Sequence, residues 1–592
     1  MKYYLSLLML LMLSACNEPT PKDNATSINV KKILVPLKDR MGTVDPLADS
    51  TATFGGKLNL WGGPSPKSLN FWLEPSSSAA TVSSLMFEEL VSLHSSEDKP
   101  VGVLAKSWVI SEDGKTFTFK LNPLARWSDG KQILAEDIQF YYDVIMNKKN
   151  LTTAHRVSLS RFKRPKIIDS LTIEFFSNKV HWKNFWTAAG SSAFPKHIWG
   201  DVDFNKQNFE FPVVSGPYII SKLKKNRSVE LTRRLDWWGD SLAYNYGKFN
   251  FNKLRYKYME DRVKTLEAFK KGDLDVYPIY TASIWMKQTN FDAVEMGWVN
   301  RERIYNKRPI GGQGFAMNLR KAPYSDPKVR EALTLLLDRK TINDKLMYNQ
   351  YFMLNSYFPD LYEKNQNPNI PMDQYDTDKA RALLKEAGWL VDSKGKLKKN
   401  SKNLVIKFMT SMADTRHLEI YASSLKSVGI IPKIEKLNNP TILKNLDNLN
   451  FDMYWRAWGA GRLRDPEPTW SSKTANEKAT LNLPGFQNTQ VDSLIEIQKV
   501  EFDLSKRNTY LIEMDEILFK ERPNVLLWNN DHHRLLSWNK YSRPTAPLGM
   551  YGNPDDVVTY WYLDKAKEQQ LKKAKKENKK LEAFPSHTYW KQ

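Results

Sequence analysis

"SWVISEDGKTFTFKLNPLARWSDGKQILAEDIQFYYDVIM", residues 107–146, decides the fold class. Its first part alternates apolar and polar residues on either side of Asp113-Gly114, the signature of a β-hairpin with a tight turn. After the turn residues of "ARWSDGK" the spacing of apolar residues changes from two to between three and four. The chain therefore passes from strand to helix within a few residues. The same texture extends in both directions. Upstream, "GGKLNLWGG" (55–63) is an alternating strand bracketed by glycines, and "ATVSSLMFEELVSL" (80–93) has helical spacing. Downstream, "LTIEFF" (171–176) is a strand, and "RVKTLEAFKKGDLDVYPI" (262–279) is a helix, a glycine stop and a strand. "DPKVREALTLLLDRKTINDKLM" (326–347) is a helix after a proline, and "DTDKARALLKEAGWL" (376–390) has an Asp cap and a closing Gly388. Strands and helices alternate throughout without a short repeat, so the class is α/β and solenoids and propellers are excluded.

With 592 residues the chain exceeds the size of one core, so two or three compact units are expected. The composition, 41% hydrophobic and 12% aromatic, suffices to fill them. Residues 1–15 have an early lysine, a short apolar run and small residues, the layout of a signal peptide. The run is shorter than the roughly 20 residues that span a bilayer. "LSAC" (13–16) resembles a bacterial lipobox, which makes Cys16, the sole cysteine, a lipidation site. The competing reading is an ordinary signal peptide that contains a cysteine. A lone thiol in an exported chain invites unwanted pairing, which favours the acylated form. Residues 16–53, polar with scattered prolines, read as a tether.

The formal charge is +22, and "KAKEQQLKKAKKENKK" (565–580) contributes eight lysines. Residues 564–592 read as a basic C-terminal tail, a solvated helix or disordered run, with contact to anionic lipid or cell-wall polymer as the second reading. No nucleic-acid module accompanies the charge. One cysteine excludes disulfides within the chain and thiolate zinc sites. No HExxH, GxSxG or GxxxxGK is present, so catalytic residues, cofactors and metals are not expected. The pair His532-His533 points to opposite faces if it lies in a strand. Asp555-Asp556 reads as one of many solvated carboxylate pairs.

"ARWSDGKQILAEDIQF" (125–140), "FPKHIW" (194–199), "VVSGPYII" (213–220), "LTRRLDWWG" (231–239) and "YSDPKVREALTLLLDRKTI" (324–342), in this order, resemble solute-binding protein family 5. These are the extracytoplasmic receptors of peptide-importing ABC transporters, and the resemblance covers about residues 54–563. "GGQGFAMNLRKAPYSDPKVREAL" (311–333) and "NLPGFQNTQVDSLIE" (482–496) look most like its YejA branch, associated with oligopeptides, modified peptides and muropeptides. The resemblance implies a two-lobed periplasmic-binding-protein fold (type II, cluster C) with an additional domain inserted in the first lobe. Lobe I would take 54–84, 211–308 and 531–563, the insertion 85–210, and lobe III 309–530. The hinges would lie near 303–315 and 529–539. Together with the lipobox, which is an independent signal, it implies a monomer, lipid-anchored on the periplasmic side, that delivers peptides to permease subunits without altering them. A receptor for oligosaccharides or metal chelates, or an exported hydrolase, are the alternatives.

In that family the strand and loop "FDMYWRAWGAGRLRDPEPTWSSKTA" (451–475) line the ligand cleft. Receptors for free peptides carry an aspartate soon after the strand's tryptophan, and this chain has Gly459-Ala460-Gly461 there. Glu467 resembles the branch's counterpart and is the first candidate to pair with a ligand ammonium, Asp465 the second; a solvated loop acid is the bland reading of both. Arg456, Arg462 and Arg464 have the fork geometry to hold a ligand carboxylate or phosphate. Trp458 and Trp470 fit either a cleft wall or the lobe core. Trp61 and Phe71 sit on the family's first-lobe cleft loop, and Gln313, Gly314 and Phe315 fall near the hinge; these five complete the ligand-binding candidates.

Overall fold

In a computed structural model, residues 37–411, 415–459 and 461–590 are described. The signal segment, Cys16 and the start of the tether lie outside them. The expected hairpin forms: strands Ala105–Ile110 and Thr116–Leu121 pair antiparallel, and Gly114 sits at φ +66°, a region that favours glycine. With Thr172–Phe176 and Lys166–Asp169 they make a four-stranded antiparallel sheet. Helix Ala135–Met146 covers it, burying Ile138, Tyr141, Tyr142 and Ile145. The Asp137 carboxylate closes the helix start by accepting from the Leu134 N–H at 3.0 Å and the Trp127 indole N–H at 3.2 Å.

This unit is inserted between strands of a larger sheet. Eight strands run in the order His587–Tyr589, Val299–Tyr305, His532–Trp538, Val276–Pro278, Lys57–Trp61, Lys253–Lys257, Ser228–Arg233 and Tyr218–Lys224. A separate five-stranded sheet has the order Ile431–Lys436, Val405–Thr410, Met453–Trp458, Gly312–Met317, Asn524–Leu526. The chain leaves the large sheet at Tyr305 and enters the second at Gly312, then returns between Asn529 and His532. Each sheet carries its own hydrophobic core, the arrangement of a two-lobed periplasmic-binding fold. Among the described residues no helix is long and apolar enough to cross a membrane.

The fold reaches beyond the sequence reading at both ends. The tether is part of the body from Arg40 onward. Met41 bridges to Leu242, and the Asp45 side chain, fully buried, pairs with the Lys248 ammonium at 2.5 Å and accepts from the Ser95 and Tyr560 hydroxyls. The basic segment is not a free tail. Helix Lys565–Glu577 buries Leu571 and Ala574, and His587–Tyr589 adds a parallel edge strand to Val299–Tyr305. Its charge stays largely at the surface because Leu571 and Ala574 alone carry the buried apolar contact of the helix.

Candidate functional site

Strand Met453–Trp458 lies inside the five-stranded sheet, between Gly312–Met317 and Val405–Thr410. Both tryptophans left open between cleft and core are buried, Trp458 at the end of this strand and Trp470 at the end of the short helix Glu467–Trp470. Trp458 is 7% exposed, donates its indole N–H to the Tyr357 carbonyl at 3.1 Å and stacks on the Tyr357 ring at 5.5 Å. Trp470, 1% exposed, meets Trp458 edge-on at 6.0 Å. Both are core residues. Gly312 sits opposite Trp458 because a Cβ there would come within 2.5 Å of the indole. Gly314 admits the neighbouring strand, its hypothetical Cβ falling 2.6 Å from the Val525 carbonyl. Phe315 packs on Phe408 and Tyr421. Gln313 ties the sheet to its neighbours, donating to the Trp528 carbonyl and accepting from the Trp455 indole at 3.1 Å. Gln313, Gly314 and Phe315 therefore hold the second lobe together, placed by strand pairing that their separation in sequence conceals.

After Trp458 the strand turns at Gly459, φ +65°, into the charged loop. Arg456, still in the strand, donates to the Leu481 carbonyl at 2.8 Å, and burial holds its guanidinium down at about 10. Arg464 donates from one guanidinium nitrogen to both carboxylate oxygens of Asp360. Both arginines are engaged within their own lobe. Arg462 instead reaches out: it donates to Asp98 at 2.9 and 2.7 Å and to the His94 carbonyl at 2.9 Å. Its guanidinium also lies 4.0 Å from the Tyr551 ring centre.

The two candidate partners of a ligand ammonium are held by cations of the protein. Asp465, with a side chain 1% exposed, approaches Arg161 at 3.4 Å and His181 and Lys183 at 3.8 Å, all from the inserted domain. Glu467 accepts from the Lys499 ammonium at 2.6 Å. Trp182 donates its backbone N–H to the Lys499 carbonyl and its indole N–H to the Gln498 side chain, each at 2.9 Å, while Arg507 covers its ring at 4.1 Å. The second lobe and the inserted domain thus clasp one another through the loop and the Trp182 corner.

His181, Asp465 and Glu467 bring three donor atoms within 4.8 Å of one another, the spacing of a metal ligand set. Arg161, Lys183 and Lys499 already neutralise the two carboxylates, so the group fits a salt-bridge clasp better than a cation site. Burial and the neighbouring Arg161 hold the His181 imidazole down at about 4.

Beside the clasp, a cavity of about 500 Å³ lies where the chain crosses between lobes. Its walls are the crossing segment 305–310, residues 360–363, Arg462, Arg464, Arg507, Asp531 and Tyr551. Arg308, whose pKa burial lowers, donates to the Asn530 carbonyl at 2.9 Å, and its Nε has no partner among the described residues. A polar chamber at a hinge is where a two-lobed receptor encloses a solute. Trp61 and Phe71 do not line it. Trp61 is held by its indole bond to the Met259 carbonyl and packs edge-on to Tyr277 at 5.6 Å, and Phe71 faces a separate cavity.

Nothing in the sequence reading singles out Arg308, Asp360, Arg507 or Tyr551. Of these only Tyr551 has a local sign, an aromatic residue in a glycine-rich turn. Of the pair Asp555-Asp556, expected in solvent, Asp555 is exposed and Asp556 is half-buried. Desolvation pushes Asp556 up to about 6, with its carboxylate accepting from the Gly549 N–H at 2.7 Å, while the Asp555 carboxylate lies 3.4 Å from the Thr81 hydroxyl.

Residues 99–480 match the family model for bacterial extracellular solute-binding proteins, family 5 Middle. The chain belongs to that family, whose members bind peptides or metal chelates for ABC import. Among individual relatives, the Escherichia coli (strain K12) protein YejA is 27% identical over 81% of this chain and 85% of its own length. The probable peptide-binding protein YejA of Agrobacterium fabrum is 25% identical over 82% and 86%. The oligopeptide-binding protein AppA of Bacillus subtilis, solved with a nonapeptide, superimposes with a TM-score of 0.71 at 19% identity, covering 87% of this chain and all of AppA. The chain is therefore a YejA-like, extracytoplasmic solute-binding protein of family 5.

Proposed function

We propose that this chain is a lipid-anchored receptor that captures oligopeptides or modified peptides, muropeptides included, between its lobes and delivers them to an ABC permease. The observation that carries this reading is the polar chamber at the hinge, walled by both lobes and bordered by the Arg462 clasp. In this reading lobe I takes 54–84, 211–308 and 531–563, with the segment from Arg40 and the C-terminal segment packed onto it, the inserted domain takes 85–210 and lobe III 309–530. Opening would separate the clasp and expose the chamber; a ligand that bridges the lobes favours the closed state by its differential affinity. The guanidinium groups of Arg308 and Arg507 suit a ligand carboxylate or phosphate. Glu467 and Asp465 become available to a ligand ammonium only when their lysine and arginine partners are displaced.

Mass spectrometry of the solute that co-purifies with the full chain tests the reading. A peptide or peptide-containing fragment supports it, and an oligosaccharide or metal chelate alone overturns it. Thermal-shift screening gives an independent answer, since bound ligand raises the melting temperature. Recovery of altered peptides after incubation would instead mark a hydrolase. Replacing Cys16 by Ser should release the exported protein from the membrane, and membrane retention of that variant rules out the anchor.

A further inference from the structure

A second cavity, of about 590 Å³, lies between the first lobe and the inserted domain. Among the described residues none lines both it and the hinge chamber. The loop 94–98 is the partition: Ser95 faces the second cavity, Asp98 faces the chamber, and Arg462 binds the loop from the other lobe. The volume is that of a small-molecule site. Its walls include Trp72, Phe87, Tyr141 and Tyr244, and two adjacent carboxyl groups, Glu88 and Glu89, join this aromatic lining.

Glu88 is 8% exposed and accepts from the Trp238 indole at 3.0 Å. Glu89 lies against the Ser92 hydroxyl, near Tyr141 and Gly190. Among the described residues neither carboxylate forms an ion pair; Arg234 and Arg233 act on Glu88 only at longer range, and each has its own aspartate. The one lysine of the cavity, Lys248, is committed to Asp45 at 2.5 Å. His155 is bound to the Phe71 carbonyl at 3.3 Å and burial lowers its pKa, so it supplies no charge at neutral pH. Burial pushes both glutamates up to about 7. Uncompensated carboxyl groups facing an aromatic cavity are costly to keep, and a bound cation offsets that cost. In a chain of formal charge +22 the cavity is a locally anionic place.

We propose that this cavity is a second binding site, for a small organic cation, a primary amine or guanidinium, whose charge is met by Glu89 and Glu88 while aromatic faces hold its alkyl stem. The assignment stands apart from the cargo reading, because it concerns a different cavity. The cation could be a free small amine or the basic side chain of a bound peptide, and the probes separate these sources.

The full chain is titrated calorimetrically at about pH 8, above the range of both carboxyl groups. Paired probes are n-pentylamine with n-pentanol, and the tripeptide Ala-Lys-Ala with its norleucine analogue; agmatine tests a guanidinium. The amine is expected to bind and the alcohol not, with Glu89→Gln weakening the amine about tenfold or more. A response confined to Ala-Lys-Ala and lost in Glu89→Gln supports the site with a peptide side chain as its occupant. Equal binding of charged and neutral partners, no binding of any cation, or full affinity in Glu89→Gln overturns the proposal. Should Glu89→Gln fail to fold, the comparison of amine with alcohol on the unsubstituted protein still decides it.

Discussion

Arg462 joins three parts of the molecule: its own loop, the loop 94–98 and Tyr551. Arg462→Ala should cost about 1 kcal/mol of closure, since Asp98 keeps access to water after the loss. Faster amide hydrogen exchange in residues 94–98 would show it, and unchanged exchange would remove the clasp role. Asp465 is different because its side chain is buried. Asp465→Ala leaves Arg161 and Lys183 without their shared counter-charge and should destabilise by about 2 kcal/mol in urea unfolding. Neither role is readable from the loop's composition. "GRLRDPEP" announces charge, but the partners of Arg462 and Asp465 lie 364 and 304 residues away, and only folding selects them.

At the scale of elements, the hairpin at 107–122 and the helix that follows were legible because their determinants are local: alternation, a glycine turn and helical spacing. The C-terminal segment was not. Its helix shows only Leu571 and Ala574 as an apolar stripe among lysines, and its strand is three residues long. What orders it is contact with distant parts of the first lobe. Phe584 lies under the Arg543 guanidinium at 3.8 Å, the Trp298 indole donates to the Lys579 carbonyl at 2.8 Å, and Asn539 donates to the Glu582 carbonyl at 2.8 Å. Truncation after Leu563 should lower first-lobe stability by about 3 kcal/mol, seen as a shifted calorimetric transition, while the second-lobe transition stays in place. A truncated chain that melts like the full one would make the segment an appendage.

For the whole molecule, buried titratable groups act in opposite directions on stability. Glu88, Glu89 and Asp556 have pKa values raised by burial, to about 7, 7 and 6, so the folded state binds more protons than the unfolded one and loses stability as pH rises through those values. His181 and His533 are lowered, to about 4 and 3 from 6.5, so stability rises with pH until the unfolded imidazoles have titrated. The two sets oppose one another between pH 4.5 and 6.5. Glu89→Gln removes one falling contribution, so the variant should gain stability relative to the parent as pH rises from 4.5 to 7, measured by urea unfolding across that range. A constant difference would show that Glu89 titrates normally. The α/β class, the family and the positions of many elements were already written in the residue order, because periodicity, caps and turns act over a few neighbours. Folding added what no local pattern holds: Trp458 and Trp470 became core, Asp465 and Glu467 acquired internal cations, and two acids came to face a cavity. Burial and charge pairing depend on which distant segments meet, and that is settled only when the whole chain packs.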